Sequence, residues 1–237
     1  GIVFELTPGT NGTWTENVLH TFGTGNDGAL PYAGLIFDNA GNLYGTTSQG
    51  GRPGCGYGCG TVFEMTPGSN GTWNEKVLYN PQLRYGGFSP LGGVILDSHG
   101  NLYGTTSRGG GFNGGTAFEL VRGTNGAWKA KVLHSFGKGK GGLGPAASLI
   151  IDGAGNLYGT TEYGGFYGEG DVFELSPGTG GTWSEKQLHS FCSVGYCADG
   201  AEPVAGLIFD AAGKNLYGTS KAGGNSTQFG TVFEITP

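Results

Sequence analysis

Five carboxylates in the second half of the chain carry the chemistry that its residue types allow: Glu162, Glu169 and Asp171 in one stretch, Asp199 and Glu202 in the next. Two carboxylates at a suitable separation act as acid and base on a glycosidic bond, or hold calcium together with water and carbonyl oxygens. Aromatic residues share the same kind of glycine-rich stretch: Tyr57, Phe112, Tyr163, Phe166, Tyr167, Tyr196 and Phe229. Such rings stack on sugars or grip a peptide. A solvated acidic loop edge, and rings that only cap strand ends, would account for the same residues without a ligand. Four cysteines fall there as two close pairs, Cys55 with Cys59 and Cys192 with Cys197. Their spacing suits two local disulfide loops and therefore an oxidising compartment, and it matches zinc-ribbon and zinc-finger spacing poorly. No metal or other cofactor is assigned, calcium being the one ion that the carboxylates admit.

Other chemistry lacks a motif. There is no Gly-x-Ser-x-Gly elbow, His-Glu-x-x-His pair or phosphate loop, so nucleophilic hydrolase chemistry has no sequence support. The formal net charge is −6 with only 12 Lys plus Arg, and no basic patch interleaves with aromatics. Nucleic acid is not an expected partner. No apolar run is long enough to span a membrane.

A tandem repeat must position these residues. The phrase Gly-Asn-Leu-Tyr-Gly-Thr begins at Gly41, Gly100 and Gly155 and, with one insertion, at Gly213. Each copy travels with a Val-Phe-Glu-Leu-like segment, a tryptophan, a Val-Leu-His-like segment and a Leu/Ile-rich run ending in Asp. Trp14, Trp73, Trp128 and Trp183 are spaced by 59, 55 and 55 residues, a length that fits a four-stranded propeller blade. The apolar runs at Leu35, Val94, Leu149 and Leu207 read as inner strands, and Asn-Leu-Tyr-Gly-Thr as the second. Val3 to Leu6 and its copies read as the third, and each Trp to the following Leu-His or Leu-Tyr as the fourth.

The expected fold is an all-β propeller of four four-stranded blades, one domain over 1–237. Its units run about 1–59, 60–114, 115–169 and 170–229, with 230–237 a surplus or closing strand. The N-terminal strands are expected to complete the last blade; part of a five-bladed propeller is the alternative. One Val-Phe-Glu strand remains in excess, an edge on which the protein could self-associate.

Phase separates scaffold from specialised residues. Glu5, Glu64, Glu119, Glu174 and Glu234 recur in step, as do Asp38, Asp97, Asp152 and Asp210, and both series read as structural. His20, His134 and His189 lie on outer strands of different units and cannot share an ion. Glu162, by contrast, corresponds to Ser48, Ser107 and Lys221 elsewhere. It sits among loops that vary, whereas the turns of the opposite face are near copies.

The fuller phrase, Val-Phe-Glu-Leu-Thr-Pro-Gly-x-x-Gly-x-Trp followed by Val-Leu-His-x-Phe, resembles the GloVer-type tandem repeat of exported bacterial proteins over essentially the whole chain. At the level of pattern the Asp-x-x-Gly-Asn turn also resembles blades of NHL-type propellers. The resemblance implies a secreted repeat protein, extracellular or periplasmic, of unassigned activity, and carries over no catalytic residue. The expected function is binding of a glycan or surface protein through the aromatic, disulfide-pinned loops. Polysaccharide hydrolysis or lysis by the five carboxylates is the enzymatic alternative, and a filament subunit built by strand exchange the structural one.

Overall fold

Residues 1–82, 85–225 and 228–237 are described by a computed structural model, and among them regular structure consists of strands and single 3-10 turns. The strands begin with β1 (Ile2–Pro8) and β2 (Trp14–Thr21), a hairpin. A first repeat follows with β3 (Gly28–Ala29), β4 (Ile36–Phe37), β5 (Leu43–Thr47), β6 (Gln49–Gly50), β7 (Thr61–Pro67) and β8 (Trp73–Tyr79). The second contains β9 (Ile95–Leu96), β10 (Leu102–Thr106), β11 (Thr116–Arg122) and β12 (Trp128–Ser135). The third contains β13 (Gly142–Leu143), β14 (Ile150–Ile151), β15 (Leu157–Thr161), β16 (Tyr163–Gly164), β17 (Asp171–Pro177) and β18 (Trp183–Ser190). Last come β19 (Ile208–Phe209), β20 (Leu216–Ser220) and β21 (Thr231–Ile235).

Three antiparallel four-stranded sheets result, β4-β5-β7-β8, β9-β10-β11-β12 and β14-β15-β17-β18. The β1–β2 pair precedes them and the three-stranded sheet β19-β20-β21 follows. The turn from inner to second strand is built by one carboxylate. Asp38 Oδ1 accepts the N–H groups of Ala40 and Asn42, while Oδ2 accepts the Asn42 amide and lies 3.1 Å from Tyr44 Oη. Asp97 and Asp152 repeat the arrangement. Burial opposes ionisation of these carboxyls, but the donated hydrogen bonds outweigh it and hold all three below the usual carboxylate range. Glu64 and Glu119 take the other side of the same tyrosines, 2.9 and 3.0 Å from Tyr44 and Tyr103. The in-step acids are thus internal bracing.

Alternation along the third strand gives every sheet two unlike faces. Val62 of the first four-stranded sheet meets Phe118 of the second, Ala117 of the second meets Phe173 of the third, and Val172 of the third packs in one cluster with Phe233. Val3 of the β1–β2 pair likewise packs with Phe63. A Val or Ala face therefore covers the Phe face of the next sheet. Thr46, Thr105 and Thr160 add a hydrogen bond across each seam, to the carbonyls of Gly92, Ala147 and Ala205.

The expected closure is not formed. β2 pairs with β1, not with β21, and β21 stands at the edge of its sheet. The physical reason is local. β1 is joined to β2 by one short turn through Gly9 and Asn11, so its pairing costs far less loop entropy than pairing β2 with a strand more than two hundred residues away. No hydrophobic cluster among the described residues joins the two ends of the series.

Glycine also serves a purpose here beyond turns. Gly45, Gly104 and Gly159 lie in mid-strand directly opposite Phe63, Phe118 and Phe173, whose rings cross over them. A Cβ on Gly104 would stand 2.7 Å from Phe118 Cζ and 3.1 Å from Val94 Cγ1. Replacing glycine by alanine where the backbone permits ordinarily stabilises a protein through the unfolded state. Gly104→Ala should instead cost about 1–3 kcal/mol by overpacking. Urea denaturation tests this, and a variant as stable as the parent would show that the ring does not require the glycine.

Candidate functional site

At one end of the sheets, each repeat pins two loops together in the same way. Leu30, Ser89 and Glu202 adopt left-handed backbone (φ 58°, 59° and 51°) immediately before a proline, and Gly144 takes the same place at φ 68°. The turn presents each residue's carbonyl to the end of the second strand. It is met there by the N–H of Ser48, Ser107, Lys221 and Glu162 at 3.0, 3.0, 3.0 and 3.2 Å, respectively. A non-glycine residue held left-handed costs on the order of 1–3 kcal/mol, and such strain concentrates where a site must be kept in shape.

Stacking of the sheets brings these ends side by side around a cavity of about 480 Å³. Tyr32 and Gln49 come from the first repeat, Leu91, Ser107 and Arg108 from the second, and Leu143, Glu162 and Tyr163 from the third. On its rim, Lys221 Nζ lies 2.6 Å from Glu202 and 3.6 Å from Glu162, and Tyr163 Oη donates to Glu162 at 2.8 Å. The cavity therefore offers two phenol rings, an amide, hydroxyls, a guanidinium and a carboxylate braced by a lysine.

Of the aromatic residues expected to bind, only Tyr163 lines this cavity. Tyr57 and Tyr196 project from the loops closed by the Cys55–Cys59 and Cys192–Cys197 disulfides, and Phe229 stands equally free of cover. Phe166 and Tyr167 contact each other edge-on, with Lys140 Nζ 3.3 Å from the Phe166 ring centre; Lys138 approaches Phe112 at 5.9 Å. Tyr32 and Leu91 were not legible as site residues, because their segments lack the repeated phrase. The proline that follows each left-handed residue was the available signal.

The five acids separate as well. Glu162 and Glu202 converge on Lys221, an arrangement that neutralises carboxylates and does not set them on either side of a glycosidic bond. Glu169 meets Glu202 through backbone only, its carbonyl accepting the Glu202 N–H. Asp199 lies beside His189 and accepts from Ser193 and Val194; the hydrogen bonds from Ser193 and Val194, set against burial, keep its pKa low. Asp171 is fully buried on β17, accepting from Thr161 at 2.6 Å and Gln187 at 2.9 Å. It is no part of the exposed loop. Among the described residues, no three His, Cys, Asp or Glu side chains are grouped as a metal site requires. The three outer-strand histidines lie apart, His20 beside Asp27, His134 beside Glu185 and His189 beside Asp199. A larger groove, about 630 Å³, opens on the opposite face between the second and third sheets. Its Asp97, Tyr103, Glu119 and Asp152 are the bracing residues already described.

An all-β tandem-repeat protein with two local disulfides is thereby defined. The profile of the Gloeobacter/Verrucomicrobia repeat matches residues 1–127 and 53–237, and the chain belongs to that family. No curated protein matches it. Among solved structures it is similar to a protein of unknown function from Dyadobacter fermentans, at 13% identity and TM-score 0.51, over 100% of this chain and 72% of that one. That likeness concerns the fold alone.

One further titrating cluster lies at the seam between the second and third sheets. Burial, aided by the charge of Asp171, pushes the Glu185 carboxyl up to about 7, and the Glu185 side chain is 23% exposed. His134, 3.4 Å away, is pushed below its ordinary value by burial and supplies little positive charge. Between the ordinary carboxylate pKa of 4.5 and about 7, the folded chain keeps a proton that the unfolded chain has released. The contribution of Glu185 to stability therefore falls as pH rises through that window, while the depressed His134 contributes in the opposite direction. Between about pH 5 and about pH 8, thermal melts of the parent should lose stability relative to those of Glu185→Gln. An unchanged pH slope in that variant would assign the dependence to other groups.

Proposed function

We propose that this chain is an exported binding module, with its sheets arranged as propeller-like blades in one domain, that holds a saccharide-type ligand in the cavity between Tyr32 and Tyr163. Counting the β1–β2 pair and the β19-β20-β21 sheet, there are five blade positions, so the five-bladed arrangement is the form we favour. The observation that carries the reading is the pattern of divergence. Residues at equivalent positions meet around one cavity, yet they differ: Gln49, Arg108 and Tyr163 in one series, Tyr32 and Leu91 in another. A scaffold that repeats its core and varies its loop ends at a shared cavity is suited to recognition. The volume lies in the range of small-ligand sites. Phenol rings for stacking beside amide, guanidinium and carboxylate groups for hydroxyls are the chemistry that a pyranose requires. The disulfide loops and the family fit an extracellular or periplasmic place.

A glycan array followed by calorimetry tests the reading. Tyr32→Ala and Tyr163→Ala should each weaken binding roughly tenfold or more. Tyr196→Ala and Phe229→Ala, which lie away from the cavity, should leave it unchanged. Affinity that survives the first pair and fails with the second would move the site to the loops, as would a bound glycan that protects the disulfide loops alone from modification.

A further inference from the structure

We propose that the loop between β12 and β13, Gly137-Lys138-Gly139-Lys140-Gly141, binds the carboxylate of an acidic sugar, a hexuronate. None of these residues lines the cavity between Tyr32 and Tyr163, so the inference does not rest on what that cavity holds. The sister loops show what belongs in this one. After β2, Asp27 folds back over its own loop: Oδ1 accepts the Gly23 N–H at 3.1 Å and Oδ2 the Thr24 hydroxyl at 3.4 Å, with His20 Nε2 3.3 Å away. After β18, Asp199 accepts the Ser193 N–H and hydroxyl and the Val194 N–H, with His189 Nε2 3.1 Å away. In both, a carboxylate of the chain satisfies the loop.

The loop after β12 has the backbone of the first and lacks the acid. Gly137 and Gly139 have positive φ, 100° and 64°, as Gly23 and Gly25 have, 114° and 64°. The Gly141 N–H donates to Lys138 O at 3.0 Å, as the Asp27 N–H donates to Thr24 O at 3.3 Å. The residue seven places after the histidine is therefore Asp27 in one loop and Gly141 in the other. A Cβ on Gly141 would stand 3.7 Å from Lys138 N and 3.9 Å from Gly137 N, so these two N–H groups border the space that the sister carboxylate fills. Neither is hydrogen-bonded within the described residues. The second repeat also has glycine at this place, Gly86, but there the Tyr79 hydroxyl takes the room, and a Cβ would collide with it. The third repeat keeps the histidine, His134, and puts no such group in the aspartate's place.

Two further exchanges in the same loop supply charge. Lys138 stands where Thr24 donates its hydroxyl, and Lys140 stands where the first loop has Asn26. Both lysines are exposed, and among the described residues neither forms an ion pair, in a chain whose net charge is −6. Two cations beside two open N–H groups are complementary to one carboxylate. The acids nearby are engaged elsewhere. Asp171 accepts from Thr161, Gln187 and the Gly142 N–H, and Glu185 faces His134 across the seam. Glu75, the counterpart of Glu185, feels the charges of both His20 and Asp27, so a carboxylate in the loop and one across the seam coexist about one histidine. A sugar is the carrier that the flanking residues suit. Phe112 lies 5.9 Å from Lys138 on one side, and Phe166, edge-on to Tyr167, lies 3.3 Å from Lys140 on the other, rings for the apolar face of a pyranose.

The test titrates the full chain, isotopically labelled for amide NMR, with a galacturonate trimer, a galactose trimer and a hexaglutamate peptide. The uronate should shift the Gly137 and Lys138 amide signals to saturation, and the neutral sugar should leave them in place. Lys138→Thr combined with Lys140→Asn, the residues of the sister loop, should melt like the parent and weaken uronate binding roughly tenfold or more. Gly141→Asp should supply the carboxylate from within the chain and abolish the shifts. Tyr32→Ala should leave them unchanged, which separates this site from the cavity. The proposal is overturned by unmoved Gly137 and Lys138 signals, by an equal response to the neutral trimer, by full binding in either loop variant, or by loss of the shifts in Tyr32→Ala. A response to hexaglutamate as strong as that to the uronate would overturn the sugar and assign the loop to an acidic peptide.

Discussion

Every sheet in this protein depends on a neighbour to cover both of its faces. Strand alternation places Val or Ala on one side and Phe on the other, and the sheets stack so that each Phe face is closed by the Val face before it. A sheet of four short strands cannot bury enough apolar surface alone, so stability is shared between neighbours, as in other repeat proteins. The demand explains the other recurrent residues. Glycine opposite each Phe makes room for the ring, the seam threonine ties one sheet to the next, and the Asp-Tyr-Glu bracing keeps the second strand at the angle that stacking requires. It also explains the exposed apolar residues at the ends of the series, where a face has no neighbour.

Stacking has a second consequence at the loop ends. Because successive sheets are held in one phase, positions that are equivalent in sequence become adjacent in space. Ser48, Ser107 and Glu162 meet at one cavity for the same reason that Val62 and Phe118 meet in the core. A single substitution in one repeat is therefore a change in a shared environment. Within one repeat, Asp171 and Gln187 change together: they stand where other repeats have Thr and Val, and Gln187 donates to Asp171. The cavity illustrates the open version, with strained left-handed residues fixing the loops from which its side chains project.

Much of the architecture was legible because its causes are local. The strands, their order within each sheet, the Asp-capped turns and the bracing role of the in-step acids all follow from residues within one or two turns of each other. The disulfides followed from loops of a few residues. The candidate site was only partly legible. Tyr163 and Glu162 could be singled out because they depart from the repeat, but Tyr32 and Leu91 could not, since their relation to Glu162 exists only across stacked sheets. Asp171 was misplaced because its neighbours in sequence are loop residues, whereas its position in the ladder opposite Thr161 is what buries it.

By itself, then, the order of residues determined an all-β tandem repeat with unlike sheet faces and with its variable residues gathered at one end of each unit. Which of those residues share a cavity, which carboxylate is raised and which is neutralised by lysine, and which strand pairs with β2 were decided by tertiary structure. Two of the competing strands, β1 and β21, are nearly the same in sequence, so no pattern could choose between them. Proximity along the chain made that choice, through the smaller entropy of closing a short turn.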